Sequence, residues 1–422
     1  MKFTKLLLSV AGATALTLAL AGCGSSSSSS GNGKTTVQFL STKTENASTY
    51  KELIKEFEKK NPKIDVEFSS PTNAATLLKT DLTKGTFPDV VGIGGDATFV
   101  AMQDAKVFKD LSKESYVKTV DPTYQKMITS LYSGKGLYAV PYATNASGII
   151  YNKSLFKKAG ITKIPTTWDE LMADAKTLKS KGITPFGVAF KDSWTTLSPW
   201  NQIVGNVIPD SWIKTRLNNK STFAATHKAA LNQWLEPLKY AQKDYMGTSY
   251  NDINRDFANG KVAMIINGNY EIPEITKLNK DIDADMFMFP VTNSASDNHV
   301  VSGIDVAFGI YNKTKVSSAA NKLVAFLMQK SSAEKYTQEQ FSFSAIDGVK
   351  QTSKLVAGIS PEIEKVNVKN YPDHYYPSAF DMSKPLTQSA LNASKGMSAS
   401  QNVKQTLQNI DNTFNTANVK NK

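Results

Sequence analysis

From Thr35 to Ile93 the chain alternates between two hydrophobic periods, and this alternation narrows the folds open to it. Thr35 to Leu40 reads as a first strand. Thr49-x-x-Glu52 then forms a capping box ahead of Tyr50, Leu53, Ile54 and Phe57, which share one helical face, and Asn61-Pro62 stops that helix. Ile64, Val66 and Phe68 alternate as a second strand, Leu77, Leu78 and Leu82 predict a helix ending at Gly85, and Pro88 to Ile93 is a short apolar run bounded by breakers, as in a buried parallel strand. Strands alternating with helices imply an α/β layer architecture.

The pattern resumes after Tyr138-Ala139-Val140-Pro141, where a second unit begins. Gly148 to Tyr151 is strand-like, and Ser154 to Ala159 begins a short helix. Thr167-x-x-Glu170 is a second capping box, ahead of Leu171, Ala175 and Leu178, with Gly182 ending the helix. Helices also fit Ala229 to Lys243 and Ala319 to Met328, while Phe257 to Ile266 reads as a helix end, a turn at Gly260 and a strand. Ser389 to Asn418 is polar, rich in Asn and Gln, and weakly helical. With 422 residues, 41% hydrophobic, there is enough apolar side chain for two or three cores.

One cysteine in the whole chain, Cys23, excludes an internal disulfide framework and any multi-cysteine metal site. It follows a lysine-bearing start and a largely apolar run, Leu6 to Ala21, which is short for a spanning helix of about 20 residues and reads as a secretory signal. Leu20-Ala21-Gly22-Cys23 resembles a lipobox, which implies cleavage before Cys23 and its acylation. Ser25 to Ser30 and Gly31-Asn32-Gly33 read as a flexible tether. The formal charge is +12, but only two of the 49 basic residues are arginine, Arg216 and Arg255, and lysine is a poor substitute for the bidentate guanidinium in reading nucleic acid.

Three stretches resemble the extracellular solute-binding proteins of carbohydrate ABC importers: Phe57-Glu58-Lys59-Lys60-Asn61-Pro62-Lys63-Ile64-Asp65-Val66, Gly85-Thr86-Phe87-Pro88-Asp89-Val90 and Gly136 to Tyr142. Tyr151-Asn152-Lys153, Pro165 to Leu171, Phe257-Ala258-Asn259-Gly260-Lys261-Val262-Ala263-Met264 and Asn267-Gly268-Asn269-Tyr270 continue the match, in order, from about residue 36 to 345. The resemblance implies an α/β fold of two lobes, a clamp like that of maltose-binding protein, with hinge crossings and a sugar held in the cleft between them. By that analogy the crossings fall near Tyr142 to Ala146, Phe289 to Thr292 and Asn312 to Ser317. Residues 1–22 would be the signal peptide and 23–34 the tether. The first lobe would hold 35–142 and 291–313, the second 143–290 and 314–422. It further implies a monomer on the outer face of a Gram-positive cell membrane, lipid-anchored (palmitate) at Cys23, serving an ABC permease.

A neutral sugar presents hydroxyls on its edge and C–H patches on its faces, so its site needs carboxylates and amides for the first and flat aromatic rings for the second. Trp168 and Trp234 sit on helical patterns and read as core. Trp194 and Trp200 flank a stretch without clear periodicity and are cleft candidates; Trp212 is undecided. Tyr270 stands where the family commonly has a sugar-stacking tryptophan. Asp96, in Gly94-Gly95-Asp96, follows a strand at the end where open α/β sheets bind ligands, and is either a ligand or a helix N-cap. Glu45, just beyond the first strand, is a further candidate. Tyr142 and Asn145 face the cleft in the analogy. Asp305 is polar within an apolar run, either a cleft ligand or an internal hydrogen-bond partner.

Other chemistries find little support. Gly92-x-Gly94-Gly95 lacks the spacing of a dinucleotide fingerprint. Asp281-x-Asp283-x-Asp285 begins like a calcium loop but has Met286 and Thr292 at the sixth and twelfth positions. His227, His299 and His374 are too dispersed for a local metal motif and are expected on the surface. No P-loop or nucleophile elbow is present. No cofactor, metal or catalytic residue is implied. Two readings remain, a sugar-capturing binding protein and a surface polysaccharide adhesin or glycoside hydrolase, which needs only two suitably spaced carboxylates.

Overall fold

The computed structural model describes residues 33–419; the signal segment, Cys23 and nearly all of the tether lie outside them. The first period-two runs form β1 (Thr35–Ser41), β2 (Ile64–Ser69) and β3 (Val90–Ile93), with β1 parallel to both neighbours. Parallel neighbours need crossovers, and the helices Ala47–Lys60 and Ala74–Lys84 supply them. Then come β4 (Val140–Asn152), β5 (Thr184–Gly187), β6 (Val262–Gly268), β7 (Ala284–Phe287) and β8 (Val300–Ile310), with the short β9 (Phe343–Ser344) and β10 (Val368–Lys369). The spatial order is β2-β1-β3-β8-β4-β6-β5, with β7 and β9 also against β4 and β10 against β8.

β4 belongs to both units. Its first half pairs antiparallel with β8, from Val140↔Phe308 to Ala146↔Ser302, with a register irregularity around Ala143. Its second half pairs with β6 and β7. Strand alternation then separates two cores in the second unit: Ile149 and Tyr151 join one with Trp234 and Phe414, while Ala146 and Ile150 join another with Phe257 and Met286. The first unit has one core, around Phe39, Tyr50, Phe57 and Phe308.

The structure moves two of the expected boundaries. The helices Ser317–Leu327 and Lys330–Glu339, placed with the second lobe by analogy, pack on the first: Leu323, Val324, Leu327 and Tyr336 lie in its core, together with Ile346 and Val349. The Phe326 ring lies 5.6 Å from Phe57 and that of Tyr336 5.3 Å from Tyr50. Conversely, Val291 and Val300 belong to the second unit's cores, so within β8 the chain changes units between Val300 and Ile304. The capping box expected at Thr49 does not form, because that helix already begins at Ala47. Thr49 instead donates to the Glu339 carboxylate at 2.6 Å, tying the first helix to Lys330–Glu339. The box at Thr167 and Glu170 forms as read.

The polar tail is well-formed helix over Ser383–Ser394 and Ala399–Ala417. Its sparse apolar residues, Val403, Leu407, Ile410 and Phe414, recur at helical spacing and enter the second unit's core. Asp411 on this helix accepts from the backbone N–H groups of Phe223 (2.8 Å) and Ala224 (3.0 Å) and pairs with Arg216 at 3.3 Å. Arg216 is 1% exposed. Among the described residues no helix is long and apolar enough to cross a membrane.

His227, expected on the surface, is fully buried among Trp212, Phe223 and Trp200, with ring centroids at 4.3, 4.8 and 5.8 Å. It opens the helix Lys228–Leu235 on the side that carries Ala230, Leu231 and Trp234 into the core.

Two predictions follow from these buried polar groups. Asp411→Ala leaves the Arg216 guanidinium buried without its carboxylate and should cost about 3–5 kcal/mol in urea unfolding. Burial pushes the His227 imidazole from 6.5 down to about 3, so the unfolded chain binds more protons in that window. Its contribution is complete above the unfolded value and is lost as pH falls towards the folded one. Unfolding free energy measured between pH 7 and 4 should therefore decline less steeply in His227→Gln than in wild type.

Candidate functional site

A cleft of about 760 Å³ lies between the two units. Its first wall is built at the carboxyl ends of β1 and β3, where the chain turns out of the sheet and presents Lys43, Glu45 and Asp96. The Asp96 Oδ1 atom accepts from the N–H groups of Thr98 (2.8 Å) and Phe99 (3.2 Å), so the residue caps the helix Ala97–Asp104 and lines the cleft at once. Lys43 pairs with Asp305 at 2.9 Å. Burial alone would lower its pKa, but the charges of Asp305, Glu45 and Asp96 around it hold the ammonium well above its ordinary value.

The floor comes from the strands shared by the two units. Asn145 on β4 donates to Asp305 on β8 at 3.4 Å and accepts from the Tyr371 hydroxyl at 2.8 Å. Ser147 meets the same hydroxyl at 2.9 Å. Asp305 thus acts as the internal partner of Lys43 and Asn145. The Tyr371 ring lies so close to Gly303 that a Cβ there would come within 2.5 Å of it, which only glycine allows. Beyond Tyr371, Asp373 and His374 also line the cleft, each with one buried polar atom, Oδ1 and Nδ1, that has no protein partner. Burial raises the Asp373 pKa, opposed by the charge of His374 and by Asn201.

The opposite wall is aromatic. Trp194, 43% exposed, stands 5.0 Å from Tyr250 and 6.1 Å from Tyr270, ring centre to ring centre. Tyr270 follows β6 in a short turn, and its ring lies over Gly268, where a Cβ would fall 2.2 Å from the ring edge. The helix Leu197–Val207 serves two masters by its period: Leu197, Ser198 and Asn201 line the cleft, while Trp200, Ile203 and Val204 enter the core.

Of the residues expected at the site, Glu45, Asp96, Asn145, Trp194 and Tyr270 line this one cleft, and Asp305 stands behind it on Lys43. Two are elsewhere. Tyr142 is 1% exposed, its ring 4.8 Å from Phe308 and 5.0 Å from Tyr336, with its hydroxyl donating to the Ser332 carbonyl at 3.1 Å. Tyr142 enters the first core on one side of the register irregularity at Ala143, and Asn145 faces the cleft on the other. Trp200 is fully buried, on the core side of a helix that Pro199 hid from the sequence pattern. Lys43 could have been reached by the same strand-end argument that found Asp96. Tyr371, Asp373 and His374 had one signal, the aromatic cluster Tyr371-Pro372-Asp373-His374-Tyr375-Tyr376 ahead of the polar tail.

Two α/β units joined by shared strands, with a polar floor and an aromatic wall between them, define a clamp-type binding protein. The bacterial extracellular solute-binding protein family matches residues 41–334, and the chain belongs to that family. It is 31% identical over 330 residues to the multiple sugar-binding protein of Streptococcus mutans, an alignment covering 75% of this chain and 77% of that one. It is also similar to the solved solute-binding protein RafE in complex with raffinose: TM-score 0.80, 28% identity, 91% of this chain and all of the other. The apo form of RafE, from Streptococcus pneumoniae, superimposes with a TM-score of 0.76 at 27% identity over 92% of this chain and all of that one.

Removing the Tyr371 hydroxyl leaves Asn145 and the buried Ser147 without their shared partner. Tyr371→Phe should therefore lower unfolding free energy by about 1–3 kcal/mol in denaturant titration.

Proposed function

We propose that this chain captures a neutral saccharide of oligosaccharide size in the interlobe cleft and delivers it to the permease of an ABC importer, working as a monomer held outside the membrane by a lipid on Cys23. The observation that carries this reading is the opposition of Trp194, Tyr250 and Tyr270 to the Lys43, Asp96, Asn145 and Asp373 polar groups. Rings suit the C–H faces of a pyranose, and the carboxylates and amide suit its hydroxyl edge. The cleft volume falls within the range of about 300–1,000 Å³ that encloses drug-sized ligands, which favours more than one sugar ring. Raffinose is the first compound to try, since the relative solved with it shares the fold over most of its length. Carboxylates around Lys43 disfavour acidic sugars.

A bound saccharide would touch Glu45 and Asp96 from one unit and Tyr270 from the other. It would therefore hold the closed arrangement better than the open one and shift the population towards closure, giving the permease a liganded shape to recognise. Membership of a binding family and the S. mutans relative's name both support this over an adhesin or a hydrolase.

Titration calorimetry against raffinose, stachyose, maltotriose and glucuronate, with chromatography of the recovered sugars, tests the reading. Binding of a neutral oligosaccharide recovered intact is expected, with glucuronate silent and Tyr270→Ala at least tenfold weaker while still folded. Appearance of new sugar products would overturn it in favour of a hydrolase.

A further inference from the structure

Glu271 is fully buried, one residue past Tyr270, where β6 turns into the helix Ile272–Leu278. One of its carboxyl oxygens accepts from the Asn267 side-chain N–H, and the Asn267 carbonyl oxygen accepts in turn from the Tyr270 hydroxyl. The other carboxyl oxygen makes no hydrogen bond. Asn254 lies beside the carboxyl, and the charged or titratable groups facing it are Glu274, Tyr250 and Tyr270. Around Asn267 and Glu271 the remaining walls are mostly apolar, with Phe190, Ile203, Ile253 and Trp234 about a cavity of about 30 Å³. Burial pushes the carboxyl up to about 8, a cost that packing alone gives no reason to bear.

The geometry points to Glu271 as a positioning residue that fixes, through Asn267, the direction of the Tyr270 hydroxyl in the ligand cleft. The inference rests on the saccharide reading of that cleft. A side-chain amide next to a hydroxyl could present either its oxygen or its NH₂ group. In the structure the Asn267 NH₂ group goes to a Glu271 oxygen, which leaves the Asn267 oxygen facing Tyr270. Tyr270 must then spend its one proton on Asn267. Ser198, the other neighbour of that hydroxyl, already donates to Ser147 at 3.3 Å. What Tyr270 offers the cleft is an acceptor, so a ligand must place a hydroxyl donor there. An analogue with an ether or a fluorine at that position would be refused.

The test is a double-mutant cycle read by calorimetry, with raffinose, stachyose and maltotriose as probes. Glu271→Met keeps the volume and removes the acceptor; it should weaken binding about tenfold. Glu271→Gln keeps an acceptor oxygen and should restore affinity to within about threefold of wild type. In a Tyr270→Phe background, with no hydroxyl left to aim, Glu271→Met should have little further effect, whereas a residue that only supported the fold would add its full effect. Equal binding by wild type and Glu271→Met, or additive losses in the double variant, overturns the inference while leaving the saccharide reading standing. Failure of wild type to bind any of the three probes overturns that reading instead. Should Glu271→Met not fold, Asn267→Ala breaks the same link from the other side and is judged by the same non-additivity.

Discussion

β4 and β8 run antiparallel from Val140↔Phe308 to Ala146↔Ser302, and each continues past that overlap into a different neighbourhood. Beyond Ala146, β4 takes β6 and β7 as partners, whereas β8 at its far end meets β3. The overlap is thus the place where two separately packed sheets share backbone hydrogen bonds. These shared residues, with a third passage of the chain between the units after Val349, are the covalent and hydrogen-bonded links between the two halves. The register irregularity around Ala143 lies inside this overlap, and such irregularities are where strands bend.

The site is assembled on that same overlap. Asn145 and Asp305 are on the two shared strands, Lys43 reaches them from the first unit, and Tyr371 reaches them from the second. This network therefore ties both walls of the cleft to the shared strands. The local charge also differs from the global one. The chain as a whole is strongly basic, yet Glu45, Asp96 and Asp373 line the cleft and Asp305 backs it. A lysine-rich exterior suits an anionic cell envelope, and a carboxylate-rich interior suits hydroxyl donors.

Much of the fold was legible because local signals and tertiary packing agree. β1 to β3, the capped helix at Thr167 and the turn at Gly260 could all be read from period and cap. Asp96 was legible as a strand-end residue and as an N-cap, since both are local features. Tyr142 and Trp200 were misplaced for one reason: an aromatic ring serves a core and a cleft equally well, and only the face of the element decides. His227 was misjudged because a polar ring between three aromatics leaves no periodic trace. The C-terminal helix was undervalued because a few apolar residues at helical spacing suffice when one narrow stripe is buried. Tyr371, Asp373 and His374 reach the cleft through a segment of irregular chain, for which period carries no information.

The discontinuity of both units bears on how the molecule is made. The first core waits for residues up to Val349, and the second waits for Phe414. A chain emerging amino end first cannot complete either half early and bank it. Long-range closure comes late, so the nascent polypeptide stays loose for most of its passage. Both halves are thus completed only when most of the chain is available.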